Sequence, residues 1–156
     1  MGNHVLLIED EPNISEALRF LLTRDGWRVS THADGRDAVH RVRSLRPDVL
    51  VLDVMLPGRS GFEVLEDLRA DPGLAGLPVL MLTAKGQERD REQAERLGAT
   101  RFMTKPFANT EILAAVRDLG AVHAAAGDAT SDPEAGDATV PGTFPGTARG
   151  TAPDGS

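Results

Sequence analysis

Residues 47–69 read PDVLVLDVMLPGRSGFEVLEDLR, and this stretch decides the fold. Val49-Leu50-Val51-Leu52 is an uninterrupted apolar run of strand length, ended by Asp53. An unbroken run suits a parallel strand covered on both faces, because neither side of it needs to meet water. Pro57-Gly58 follows as a turn signal, and Val64, Leu65 and Leu68 then fall at helical spacing. Outward from this unit, Val5–Ile8 and Val79–Leu82 are two more unbroken apolar runs. Trp27–Thr31 and Thr100–Thr104 alternate instead, as strands with one wetter face do at a sheet edge. Between the runs lie helical stripes: Ile14, Ala17, Leu18, Leu21 and Leu22; Ala38, Val42 and Leu45; Ile112, Ala115, Val116 and Leu119. The segment 86–97 is charged nearly all round, with only Ala94 and Leu97 to face inward, so its helix is lightly anchored.

The resulting order βαβαβαβαβα predicts an α/β protein, a doubly wound parallel sheet with helices on both faces. Right-handed crossovers restrict the topology. Three covered strands inside and two alternating strands outside fit a flavodoxin-like (βα)5 sheet in the order 2-1-3-4-5.

Composition bounds the function. Of 156 residues, 40% are hydrophobic, enough for one ordinary core. With no cysteine, neither a disulfide framework nor a thiolate metal site is available. The net charge of −7 argues against direct nucleic-acid binding by phosphate neutralisation. Val5–Ile8 is too short for a signal peptide or membrane span, so a cytoplasmic protein with no membrane contact is expected. After about Gly120 the chain becomes Ala, Gly, Thr, Pro and Asp, with short polar repeats and only Val122, Val140 and Phe144 to anchor a core. This composition divides the chain into a folded domain, 1–120, and a disordered tail, 121–156.

In such sheets the ligand sits beyond the carboxyl ends of the strands. The first strand ends in Glu9-Asp10-Glu11, the third in Asp53, the fourth in Thr83-Ala84 and the fifth in Lys105-Pro106. Each has an ordinary reading alone: a solvated strand end, a turn residue, a helix cap, a surface lysine. Together they bring three acids, a hydroxyl and an ammonium group to one rim. Clustered carboxylates repel one another unless a divalent cation sits among them, and hard oxygen donors suit Mg²⁺. A carboxylate is also a nucleophile able to carry a phosphoryl group, with Lys105 and Thr83 available to its oxygens.

The segments VLLIEDEP (5–12), PDVLVLDVMLPGRSGFEVLEDLR (47–69), PVLMLTAKG (78–86) and GATRFMTKPF (98–107) resemble the receiver domain of two-component response regulators, the CheY-like superfamily. The resemblance implies that Asp53 is the phosphoacceptor. It implies that Asp10, Asp53 and the carbonyl of Met55 ligate Mg²⁺, with Glu9 acting through a water. Thr83 and Lys105 would bind phosphoryl oxygens; Thr83, Ala84 and Phe102 would form the switch; and the Lys105–Pro106 bond would be cis.

Three positions depart from the family's pattern: Ser60 where an aspartate is frequent, Phe102 where tyrosine is frequent, and Arg101 where dimerising members carry acids. The function expected is a single-domain response regulator, a phosphorelay switch and not a turnover enzyme. A histidine kinase or phosphotransfer protein would be its donor and an output protein its target. As an assembly it would be a monomer or a weak, phosphorylation-dependent dimer. The alternative is the stand-alone receiver portion of a transcription regulator, although residues 121–156 hold no helix-turn-helix pattern. A haloacid-type phosphatase would need an aspartate where Met55 stands.

Overall fold

The computed structural model describes residues 3–84 and 88–131, the last ten of these as backbone only. Its elements are β1 (His4–Ile8), α1 (Pro12–Arg24), β2 (Arg28–His32), α2 (Ala38–Leu45), β3 (Val49–Asp53), α3 (Gly61–Ala70), β4 (Val79–Thr83), α4 (Glu88–Leu97), β5 (Arg101–Thr104) and α5 (Asn109–Ser131). The five strands form one sheet in the order β2-β1-β3-β4-β5, with every pair parallel. This is the flavodoxin-like order expected from the sequence.

Burial explains why the strands sort this way. Every residue of β1, β3 and β4 is buried, whereas β2 and β5 have exposed and half-buried positions. Side chains on successive strand residues point to opposite faces. Val5, Leu7, Val49, Val51, Leu80 and Leu82 therefore meet the stripes of α1 and α5. Leu6, Ile8, Leu50, Leu52, Val79 and Met81 meet α2 and α3. Two apolar layers thus clamp the sheet, and the strand ends are left for chemistry.

The structure adjusts two element ends. Trp27 and Thr100 lie just outside β2 and β5. Trp27 is nonetheless 6% exposed and packs into the layer of α1 and α5.

The composition change at Gly120 does not end the last helix. A Cβ on Gly120 would stand 2.7 Å from the Trp27 ring, so this glycine serves helix packing and not a linker. The alanine-rich residues beyond it have high helix propensity, and α5 runs to Ser131. Residues 121–131, assigned to the tail by composition, are therefore helical. The rest of the expected tail, 132–156, lies outside the described residues.

Candidate functional site

Local sequence carries each functional side chain to the rim. β1 stops at Ile8 because Glu9 and Asp10 follow, and Pro12 fixes the first turn of α1. Glu9 is turned inward, 2% exposed, with the Glu11 amide donating to its Oε2 at 3.0 Å. Asp10 faces solvent. Asp53 is the last residue of β3 and 3% exposed; Thr83 is the last of β4 and 2% exposed. Lys105 follows β5, where its amide donates to the Thr83 carbonyl at 2.7 Å. The Lys105–Pro106 bond is cis.

These residues converge. Oxygens of Glu9, Asp10 and Asp53 lie within 4.8 Å of one another, the one such acidic group among the described residues. Lys105 Nζ donates to Glu9 Oε1 at 2.9 Å and to Asp53 Oδ1 at 3.2 Å. Burial and the neighbouring Glu9 carboxylate push the Asp53 carboxyl up to about 6, against the pull of Lys105. Burial works to lower the Lys105 ammonium, but its hydrogen bond to Glu9 and the charges of Asp53 and Glu9 outweigh that and raise it.

One ammonium group cannot neutralise three clustered carboxylates. Burial first and the Glu9 charge second raise the Asp53 carboxyl, and a cation beside it would offset both. The donor set consists of hard oxygens with one member open to water, which fits a small divalent cation such as Mg²⁺.

The remaining residues singled out in the sequence surround this cluster. Ala84 is exposed directly after Thr83, and Met55 is 62% exposed in the loop after β3. Phe102 is half-buried on β5, opposite Met81 in register, with the Arg91 guanidinium of α4 5.2 Å from its ring centroid. Beside Lys105 opens a groove of about 510 Å³, lined on one side by Ile14, Ala17 and Leu18 and on the other by Pro106 and Phe107. No local pattern foretells the bond of Lys105 to Glu9, since the two are 96 positions apart. Nor does any spacing assign a role to Gly35, which packs against the loop after Asp53; the Asp34-Gly35 pair, a turn signal, was the available clue.

The fold and the rim together define a class: a doubly wound parallel sheet that presents clustered carboxylates beside a lysine at the carboxyl ends of its strands. The family model for the response regulator receiver domain matches residues 5–117, and the chain belongs to that family. It is 44% identical over 115 residues to the probable transcriptional regulatory protein TcrX of Mycobacterium tuberculosis. The match covers 74% of this chain and 48% of that protein, so the chain spans about half the length of this relative. Among solved structures it resembles a putative response regulator from Chloroflexus aurantiacus at 30% identity and a TM-score of 0.74, covering 78% of this chain and 99% of that one. It also resembles the chemotaxis protein CheY4 of Vibrio cholerae at 29% identity and a TM-score of 0.72, covering 76% and 99%. Among the described residues no helix is long and apolar enough to cross a membrane.

Proposed function

We propose that this chain is a single-domain response regulator of the cytoplasm, phosphorylated on Asp53 by a histidine kinase or phosphotransfer protein. The observation that carries the reading is the placement of Asp53 Oδ1 3.2 Å from Lys105 Nζ, inside a cluster of three carboxylates at the carboxyl ends of the strands. Asp10, Asp53 and the Met55 carbonyl would hold Mg²⁺ directly and Glu9 through a water. The ion, when bound, supplies charge neutralisation to the transferring phosphoryl group.

The chain's own residues then have distinct tasks. An Asp53 carboxylate oxygen attacks phosphorus. The P–N bond of the donor phosphohistidine breaks, and its electron pair stays with the imidazole, which takes up a proton. Glu9 orients Lys105, and Lys105 binds a phosphoryl oxygen with its remaining donor capacity. Thr83 donates its hydroxyl to another oxygen and so feels whether the group is present. The donor reaches this rim over the groove beside Lys105, whose apolar walls offer it a surface to rest on. The product is an acyl phosphate that persists, with slow self-catalysed hydrolysis and no substrate turned over. The switch residues Thr83, Ala84 and Phe102 pass its presence to an output protein at the face of α4, β5 and α5. The chain acts as a monomer or as a weak, phosphorylation-dependent dimer, without touching nucleic acid or membrane.

A second reading has its own support. The chain matches about half of a relative named as a transcriptional regulator, so the same switch would serve as the receiver portion of such a protein.

The test is mass spectrometry after incubation with acetyl phosphate and Mg²⁺. One phosphoryl group is expected on the intact chain, none on Asp53→Asn, and none without Mg²⁺. A gain of mass by Asp53→Asn would remove Asp53 from the role, and continuous phosphate release would mark a phosphatase.

A further inference from the structure

The loop that follows β3 leads from Asp53 to Gly61, the start of α3. Both ends of it are tied down. The Val54 amide donates to the Leu82 carbonyl at 2.9 Å, and the Gly61 amide donates to the Val54 carbonyl at 2.8 Å. Its tip, Pro57–Arg59, meets instead the loop after β2. The Gly35 amide donates to the Pro57 carbonyl at 3.0 Å. Gly35 is buried against Arg59 so closely that a Cβ would lie 2.0 Å from the Arg59 carbonyl oxygen. That oxygen belongs to the backbone and has no rotamer by which to move away.

The second half of the contact is built from a charged pair. Gly58 sits at φ +84°, where a Cβ would meet Arg36 Cγ at 2.3 Å and Asp34 Oδ1 at 2.8 Å. Arg36 and Asp34 hold each other there: Arg36 Nη2 donates to Asp34 Oδ2 at 2.6 Å, and the Arg36 amide donates to Asp34 Oδ1 at 2.7 Å. Two loops from different strands thus close on each other through two glycines, with an ion pair across one of them.

We infer that the loop between β2 and α2 is a positioning element for the metal centre, and that Gly35 is its critical residue. The inference rests on the proposed reading in which Met55 supplies a backbone carbonyl to Mg²⁺. Met55 lies between the anchored start of its loop and the buttressed tip, so both ends set where its carbonyl stands. A carboxylate ligand follows a cation by rotating its side chain; a carbonyl moves only with the backbone. Mg²⁺ demands near-octahedral geometry with short bonds, which makes it intolerant of a displaced ligand. Groups that orient metal ligands from outside accordingly change affinity by about 10–100-fold when lost.

The experiment uses the full chain and reads Mg²⁺ binding directly, by following amide chemical shifts through a Mg²⁺ titration. In parallel, the initial rate of phosphorylation by acetyl phosphate is measured against Mg²⁺ concentration. Wild type and Asp10→Ala set the two ends of the range. Gly35→Ala is expected to weaken Mg²⁺ binding about tenfold. It should raise the Mg²⁺ needed for half-maximal rate by the same factor while nearly keeping the rate at saturation. A merely structural defect would lower the melting temperature without that split. Arg36→Ala, an exposed change that frees one side of Gly58, is expected to weaken binding in the same direction by a smaller factor. Gly76→Ala, where a Cβ meets nothing within 4 Å, should leave binding unchanged. A folded Gly35→Ala that binds Mg²⁺ like wild type overturns the inference. If Gly35→Ala does not fold, unaltered binding in Arg36→Ala overturns it. A wild-type chain that binds no Mg²⁺ overturns the proposed metal centre itself, an outcome distinct from either.

Discussion

Helices α3 and α4 are each ten residues long and each follows a fully buried strand, yet they are held in opposite ways. α3 buries Val64, Leu65 and Leu68. It opens with a reciprocal cap, the Glu63 amide donating to Ser60 Oγ at 3.2 Å and the Ser60 amide to Glu63 Oε1 at 3.0 Å. α4 buries Ala94 alone, with Leu97 half-buried. A fully buried large aliphatic side chain is worth about 1.5–3 kcal/mol, so three of them hold α3 several kcal/mol more firmly. The same architectural unit is therefore rigid after Asp53 and loose after Thr83. Under the proposed function both properties are used: a fixed frame for the acceptor and an element held weakly enough that one phosphoryl group shifts it.

The largest expected effect lies in the rigid helix. Leu65→Ala should cost about 2–5 kcal/mol in urea unfolding, whereas Leu97→Ala in α4 should cost about 1 kcal/mol because its site is already partly open. Equal losses would break the comparison.

The rigid half also carries an unfavourable charge, visible through pH. The Asp53 carboxyl is pushed up to about 6 by burial and by Glu9, from an ordinary 3.8. A raised acid holds its proton longer folded than unfolded, so its ionisation opposes folding. Without Mg²⁺, stability should fall as pH rises from about 4 to about 6 and level off above that. Asp53→Asn removes the penalty, and in chelator should be the more stable protein above pH 6 by about 1–3 kcal/mol, with no advantage below pH 4. Chemical denaturation at the two pH values reads this directly. A less stable Asp53→Asn above pH 6 would mean that the pair with Lys105 outweighs burial.

The smallest effect belongs to the loose helix. Arg91→Ala removes the cation–π contact with Phe102 and should cost only about 0.5–1 kcal/mol. It should nevertheless speed amide exchange in α4 and leave α3 unchanged. In wild type the beryllofluoride-activated state should change exchange over residues 88–105 far more than over α1. Larger changes in α1 would put the responding element on the wrong side of the sheet.

Much of this was legible from local pattern. Unbroken runs marked β1, β3 and β4 as covered, alternation marked β2 and β5 as edges, and the strand ends listed Glu9, Asp53, Thr83 and Lys105 in advance. The near-absence of apolar positions between 88 and 97 marked α4 as weakly held. Less visible were features whose partners lie far off in the chain. His4 precedes the apolar run that marked the first strand, yet it belongs to β1, is 5% exposed, and its Nε2 is 2.7 Å from Ser30 Oγ. Gly120 reads as the last residue of the folded domain, and nothing local marks it as the seat of Trp27.

The sequence by itself determined the order of elements, the two faces of the sheet and the chemical inventory of the rim, because hydrophobic periodicity and strand ends are local properties of the chain. Only the tertiary structure decided that Glu9 and not Asp10 turns inward to Lys105, that Gly35 closes on Arg59, and that α5 passes Gly120. Those outcomes depend on which distant backbone arrives within van der Waals range, and no spacing along one segment encodes that.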